Sequence, residues 1–494
     1  MTAALLASTT TTVVRLRRDA SAAASGTGLV ITSRFCGLRI RDLPAGVRAA
    51  LISLAGAGAT QEALAESVMT SDGDTAVMRL QMVMLRLDAE GLLERGVLAD
   101  GTGSVAWLRP VGRGRTSWGP RLDPSVPVKL SRFAIAGAED GVLVVRAPGS
   151  HLAVDLARPA CSLLGALAGW HGPGAVARLT PSLPPDAVAE VLRLFQAAGL
   201  LVAGQQELDP ESARPETAQW APADLWLHAR SRGPGTVAGY GGTYPNAGRS
   251  APLPASPPPQ GTRRIALTRP DMAAIARRDP PLSEVIESRR SIREHDDADP
   301  ITLGQLGELL FRCARRVGTC TGADGQELAS RPYPSGGALH ELELYPLVTA
   351  CRDLEPGLWH YRADAHELEL TAEPGPATQA LVASARAGAL MTSDPQVTLL
   401  VSARFGRIMW KYETVGYPLI LKHVGVLYQT LYLVGTAMGL AVCGLGGGDA
   451  AEFARATGLD HLAEGTVGEL VVGSRPAVLR HPSGVPADDE EAWG

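Results

Sequence analysis

Arg331-Pro-Tyr-Pro-Ser-Gly-Gly-Ala-Leu-His-Glu-Leu-Glu-Leu-Tyr345 reads as a rigid, glycine-bearing turn that runs straight into a short alternating strand. Pro332 and Pro334 fix φ, and Gly336 and Gly337 let backbone come close to a flat ligand. Pro334-Ser335-Gly336-Gly337 is therefore a candidate binding turn, with an ordinary β-turn as the alternative. Upstream stands Arg289-Arg290-Ser291-Ile292-Arg293. Its guanidinium groups and serine hydroxyl suit a phosphate, since guanidinium binds phosphate in a fork. Taken alone, three arginines in five residues are more often a solvated helix end. Downstream come Lys411-Tyr412, the apolar stretch Pro418–Leu440, and Cys443-Gly-Leu-Gly-Gly-Gly448.

The chain has 494 residues, room for several domains, and 45% of them are hydrophobic, as in a globular protein. A net charge of −5 and the lack of a Lys/Arg-rich stripe give no footing for nucleic-acid binding. The six cysteines are scattered, with no CxxC and no Cys/His spacing that suggests zinc. Free thiols, a reducing cytoplasm and no metal site are expected. Met1 to Arg18 is Thr-rich without a long apolar core, so no signal peptide is expected there. Pro418–Leu440 carries Lys422, His423 and Gln429, which a membrane helix rarely would, so a buried or interface helix is expected and no membrane partner.

A weak internal repeat occupies the N-terminal part. Gly28-Leu-Val-Ile-Thr and Leu38-Arg-Ile-Arg precede three apolar helices near Val47–Leu54, Gln61–Val68 and Val77–Leu93. The order returns as Gly141-Val-Leu-Val-Val, Leu152-Ala-Val-Asp, then Ala160–Leu167, Gly174–Leu179 and Pro185–Leu201. The spacing predicts two winged-helix-like modules, residues 1–115 and 125–204. They resemble PqqD-like peptide-recognition modules; a pair of purely scaffolding modules is the alternative. Residues 205–262 are rich in Pro, Gly, Ala and Ser and read as a connector wrapping onto the enzyme, with a short amphipathic helix at Trp220–Arg232 and then Gly239-Tyr-Gly-Gly-Thr-Tyr-Pro245. Residues 263–494 mix helices (Pro281–Arg290, Leu303–Ala314, Pro376–Met391, Pro418–Leu440) with strands (Glu341–Ala350, Leu358–Tyr361, Glu367–Thr371, Gln396–Ala403, Glu469–Arg475). This pattern fits an α+β domain, a mainly antiparallel sheet flanked by helices.

In this order the C-terminal motifs resemble the nitroreductase fold, and within it the SagB/ThcOx-type azoline dehydrogenases, which make thiazoles and oxazoles in ribosomal peptides. The resemblance implies a flavin mononucleotide (FMN). It assigns Arg289, Arg290, Ser291 and Arg293 to the phosphate, ribityl chain and pyrimidine edge. Pro334, Ser335, Gly336 and Gly337 would press against the ring, and Gly446 and Gly447 would lie near N5. Arg475, after the last strand, is a second candidate phosphate anchor. Gly444-Leu-Gly-Gly-Gly-Asp449 is read as following a helix rather than opening one, and so not as a dinucleotide fingerprint. Ala338 stands where classical nitroreductases often carry asparagine, which argues for the azoline branch.

The resemblance also makes Lys411-Tyr412 the catalytic pair, within Arg404-Phe-Gly-Arg-Ile-Met-Trp-Lys-Tyr-Glu-Thr-Val-Gly-Tyr417. Aromatising an azoline removes a proton from Cα and a hydride from Cβ, the hydride going to flavin N5 and dioxygen reoxidising the flavin. Lys or Tyr can take the proton if burial or a nearby cation lowers its pKa. Which of the two is the base is open. Arg407, Glu413 and Tyr417 are supporting candidates, while His340 and His423 are read as structural. The partners implied are an azoline-containing precursor peptide, a cyclodehydratase, and a second copy of the chain packed on Pro418–Leu440. Two other readings stand beside this one: a general NAD(P)H-dependent nitro- or quinone reductase, and a peptide-binding scaffold.

Overall fold

A computed structural model of the protein describes residues 10–33, 36–112, 114–205, 208–232, 241–261 and 263–477. Half of Met1–Arg18, residues 10–18, falls within them. Residues 1–9, and Gly239 and Tyr240 of the segment ending at Pro245, lie outside them. The chain forms two compact units, Met1–Tyr240 and Gly241–Gly494.

In the first unit each copy of the repeat folds as two strands followed by three helical segments. In the first copy, Gly28–Thr32 and Gly37–Ile40 precede helices Ala45–Ser53, Gln61–Asp72 and Asp74–Ala89. In the second, Val142–Arg146 and Leu152–Leu156 precede Ser162–Ala166, Pro173–Leu179 and Pro185–Ala197. The apolar positions face inward at helical spacing, for example Val188, Val191, Leu192 and Phe195 of the last helix. The first copy adds an antiparallel hairpin, Leu93–Ala99 with Gly103–Pro110. After the last helix of the second copy comes only the short strand Leu201–Ala203, paired with Val128–Leu130. The two copies share one six-stranded sheet, because Gly103–Pro110 pairs antiparallel with Leu152–Leu156. The expected division near residue 120 thus falls inside one body.

The connector divides differently from its expectation. Residues 208–232 pack on the first unit: Lys129 Nζ pairs with Asp209 at 2.6 Å, Arg132 donates to the Thr217 carbonyl, and Trp226 Nε1 donates to the Phe133 carbonyl at 2.7 Å. Only residues 241–261 lie on the second unit. Composition marks a segment as extended, but the groups that hold it are distant in sequence.

The second unit is built on a seven-stranded sheet, antiparallel at every pairing. Its order is Arg264–Ala266, Glu367–Ala372, Gly357–Arg362, Leu342–Val348, Val397–Arg404, Glu464–Ser474 and Leu440–Leu445. The helix Leu303–Ala314 starts at Thr302 with a capping box to Gln305 and buries Leu306, Leu309 and Leu310. The long helix spans Gly416–Ala437 and buries Ile420, His423, Val424, Leu427 and Leu431 on one face. It stops where Gly439 takes φ +70°, a left-handed C-terminal cap. The chain then turns back as the edge strand Leu440–Leu445, so the glycine-rich run follows a strand, not a helix as read from sequence. Asp449 caps the next helix, Ala450–Thr457. The run still lacks the parallel strand–helix–strand unit that dinucleotide binding needs, since this edge is antiparallel. Among the described residues no helix is long and apolar enough to cross a membrane.

Candidate functional site

The turn at 334–337 is locked from below. The Gly336 N–H donates to His423 Nε2 at 2.7 Å, and His423 Nδ1 lies 2.7 Å from Glu341 Oε1. An accepting Nε2 puts the ring proton on Nδ1, which then donates to the buried carboxylate. His423 is thus structural, as expected, and it is the post that holds the turn. Ser335 Oγ accepts from the His340 N–H at 3.0 Å. Gly337 sits at φ +67°, and a Cβ there would stand 2.8 Å from Tyr412 Oη. Gly337→Ala is expected to cost about 1–2 kcal/mol from the left-handed backbone alone and to push Tyr412 aside. A urea midpoint unchanged from wild type would contradict this.

Lys411 and Tyr412 follow the helical turn Phe405–Met409 and meet the turn at Gly337. Lys411 Nζ lies 3.2 Å from Asp324 Oδ2, at the tip of the hairpin Gly318–Thr321/Glu327–Ser330. Burial works to lower the Lys411 pKa, but the Asp324 hydrogen bond and charge, with Tyr244 and Tyr412, outweigh it and the net shift is upward. The expectation that desolvation would lower this lysine is therefore corrected: the neighbouring carboxylate decides. Arg407 is fully buried and donates to the carbonyls of Leu339, Glu327 and Leu253, tying turn, hairpin and connector together. Burial, then the Arg404 charge, lowers its guanidinium to about 10. Tyr417 is 39% exposed and Glu413 is exposed.

The arginine cluster gathers elsewhere. Arg289 lies over the Tyr432 ring at 5.3 Å, and Ser291 Oγ is 3.0 Å from Tyr432 Oη, which also accepts from the Gly444 N–H. Arg293 acts on the Cys443 thiol, lowering it against the larger upward push of burial. Arg290 instead folds back on its own helix, donating to the Glu287 and Arg289 carbonyls. Asp296 N–H donates to the Ser474 carbonyl, and exposed Arg475 follows the end of the strand Glu464–Ser474. His423 and Tyr432 are nine residues apart on one helix, about two and a half turns. Within one chain the turn and the arginine cluster therefore attach to opposite helix faces.

Gly446 and Gly447 are open, with nothing within 4 Å of where a Cβ would stand. They line a cavity of about 300 Å³ with Val424, Tyr428, Val467 and Glu469. Burial pushes the Glu469 carboxyl up to about 7, against the Asp449 N–H that it accepts. Sequence reading missed Asp324, Tyr244 and Glu469. One usable signal was composition: of the 46 lysines and arginines only Lys129, Lys411 and Lys422 are lysines.

Residues 286–474 match the Nitroreductase family, and residues 128–235 match the family of the cyanobactin oxidase ThcOx. Residues 286–474 thus form a nitroreductase-family domain. It is accordingly an oxidoreductase domain, and a flavin is the cofactor that goes with it. A protein of Methanocaldococcus jannaschii described as a nitroreductase is 26% identical over 165 residues, 33% of this chain and 78% of its own length. The microcin B17-processing protein McbC of Escherichia coli is 32% identical over 115 residues, 22% of this chain and 42% of McbC. The chain thus spans less than half of McbC. Among solved structures, a nitroreductase of Ralstonia eutropha is 22% identical at a TM-score of 0.33, covering 46% of this chain and 97% of that one. A chain of the E. coli McbBCD microcin synthetase complex with truncated pro-MccB17 bound is 23% identical at a TM-score of 0.33, covering 39% and 73%.

The donor set suits a flavin mononucleotide. Guanidinium and hydroxyl groups gather at one sheet edge, and bare glycine backbone lies open at Gly446 and Gly447.

Proposed function

We propose that this protein is an FMN-dependent azoline dehydrogenase that oxidises peptide thiazolines or oxazolines to thiazoles or oxazoles. The observation that carries the reading is the Lys411–Tyr412 pair set against the locked turn at Gly337. Arg289, Ser291, Arg293 and Arg475 would hold the phosphate, with Arg290 beside them, and Pro334–Gly337 with Gly446 and Gly447 would border the ring. Bound FMN supplies the two-electron acceptor, with dioxygen as final oxidant. The protein's own part is to orient the azoline ring and to take the Cα proton at the Lys411–Tyr412 pair. The packed turn keeps Tyr412 Oη in place, with the Lys411 ammonium at the same glycine.

The opposite-face arrangement on helix Gly416–Ala437 supports a homodimer in which turn and arginine cluster come from different copies. Leu421 and Tyr417 on its exposed side, 41% and 39% accessible, suit burial by a second helix. McbC, which processes microcin B17, supports a ribosomal peptide as substrate and a cyclodehydratase as the source of its azolines. The ThcOx match over residues 128–235 supports the second N-terminal copy as part of the oxidase.

The test is direct. The purified protein is expected to be yellow with flavin bands and, under air, to remove the mass of two hydrogens per ring from an azoline peptide. A yellow protein that ignores azolines yet consumes NAD(P)H would establish the general reductase instead. A colourless protein that takes up no FMN would overturn the flavin assignment.

A further inference from the structure

We propose that Asp324, together with Tyr244, is the positioning device for Lys411. The carboxylate and the aromatic ring together hold the ammonium beside Tyr412. The proposal rests on the azoline-dehydrogenase reading for its activity test, but its geometry stands apart from it.

Asp324 is oriented before it meets the lysine. It sits at the tip of the hairpin Gly318–Thr321/Glu327–Ser330, where Gly325 takes φ +76° and the Gly322 N–H donates to the Gln326 carbonyl at 2.8 Å. Asp324 Oδ1 accepts the Gln326 N–H at 3.1 Å, which leaves Oδ2 for Lys411 Nζ at 3.2 Å. Fully buried Gln326 is in turn fastened, its Nε2 donating to the Arg407 carbonyl at 2.9 Å. The aim of the carboxylate is thus set by the hairpin and by the element that carries the lysine.

Residues 242–246 pack on the same lysine. The N–H groups of Thr243 and Tyr244 both donate to the Lys411 carbonyl at 3.0 Å. Asn246 Nδ2 donates to the Met409 carbonyl at 3.0 Å. Gly242 packs bare backbone on the lysine stem; a Cβ there would lie 3.2 Å from Lys411 Cε and Cγ. Tyr244 is held at φ +52°, where few non-glycine residues sit. Its ring centre lies 5.6 Å from Lys411 Nζ, within cation–π reach, and its edge packs on Trp410.

The groups facing Lys411 are Asp324 from the hairpin, Tyr244 from residues 242–246 and Tyr412 on its own element. The Asp324 carboxyl is itself held below its ordinary range: burial opposes this, and the Gln326, Lys411 and Tyr244 hydrogen bonds overcome it. Both shifts favour the charged pair. A chain that uses arginine at nearly every basic position keeps a lysine here, a compact ammonium against a carboxylate and a ring.

The experiment compares wild type, Asp324→Asn and Asp324→Glu in the full chain. Reductive 13C-methylation of its three lysines allows Lys411 to be followed by NMR, assigned with Lys411→Arg. Asp324→Asn is expected to lower the Lys411 titration midpoint. In azoline turnover it is expected to lower kcat by about 10²-fold with little change in KM, and to move the alkaline limb of the pH profile to lower pH. Asp324→Glu is expected to restore part of both. An unchanged Lys411 midpoint together with an unchanged kcat and pH profile overturns the proposal. If the wild type itself leaves azolines untouched, the functional reading fails, and the NMR comparison alone then decides the role of Asp324.

Discussion

Tyr412→Phe and Lys411→Ala are each expected to slow azoline oxidation by about 10²–10⁴-fold, the usual contribution of a positioned proton acceptor, while flavin uptake stays at the wild-type level. The separation of the two effects follows from the architecture. The arginine cluster attaches to the Tyr432 face of the long helix, and the Lys411–Tyr412 pair attaches near the His423 face. Neither substitution touches Arg289 or Ser291. Tyr412→Phe keeps the ring packed at Gly337 and removes only Oη, so a fall in kcat cannot be assigned to a collapsed turn. The measurement is single-turnover product mass alongside the flavin absorbance of the same sample. Full activity in both variants would remove the pair from the mechanism and leave the scaffold reading to be weighed.

Arg407→Met is expected to destabilise the C-terminal unit by about 3–5 kcal/mol, because each buried acceptor stripped of its donor costs about 1–3 kcal/mol. Its guanidinium serves the Leu339, Glu327 and Leu253 carbonyls at once, at 3.1, 2.8 and 2.6 Å. Those acceptors belong to three separate segments: the end of the turn, the hairpin that carries Asp324, and the proline-rich connector. Such a loss is a large share of an ordinary domain stability of about 5–15 kcal/mol. Arg407→Lys is not expected to rescue it, since one ammonium cannot present the planar set of donors that reaches three carbonyls. Urea unfolding of the full chain, followed by tryptophan fluorescence, measures the change; Trp410, whose indole donates to the Ser250 carbonyl, reports on the same connector. A midpoint unchanged from wild type would show that the three segments are held by their other contacts.

Much of the second unit was legible one segment at a time. The helix read over Leu303–Ala314 is present, and Thr302 caps its start in a box with Gln305. The alternation after Leu339 announced the strand Leu342–Val348. The edge strand Leu440–Leu445 was not separated from the long helix, because an apolar run continues across both and periodicity cannot divide it. Gly439 carried the stop signal and was passed over. His423 and His340 were read as structural; His340 is buried, and burial first, then the Arg331 charge, lowers its pKa to about 3.

By itself the sequence determined what is local: the two prolines and two glycines of the turn, the helical spacing of the repeated copies, and the order of motifs that marks the nitroreductase family. These depend on φ, ψ and side-chain period within a few residues. Only the tertiary structure decided which distant groups meet. Lys411 is paired with Asp324, 87 residues away, and Arg407 with the Leu253 carbonyl, 154 residues away. The connector is shared between two units, and the arginine cluster and the turn attach to opposite faces of one helix. No local signal encodes such pairings, because they come from closing long loops around a common core, where a buried charge must find its partner or destabilise the fold.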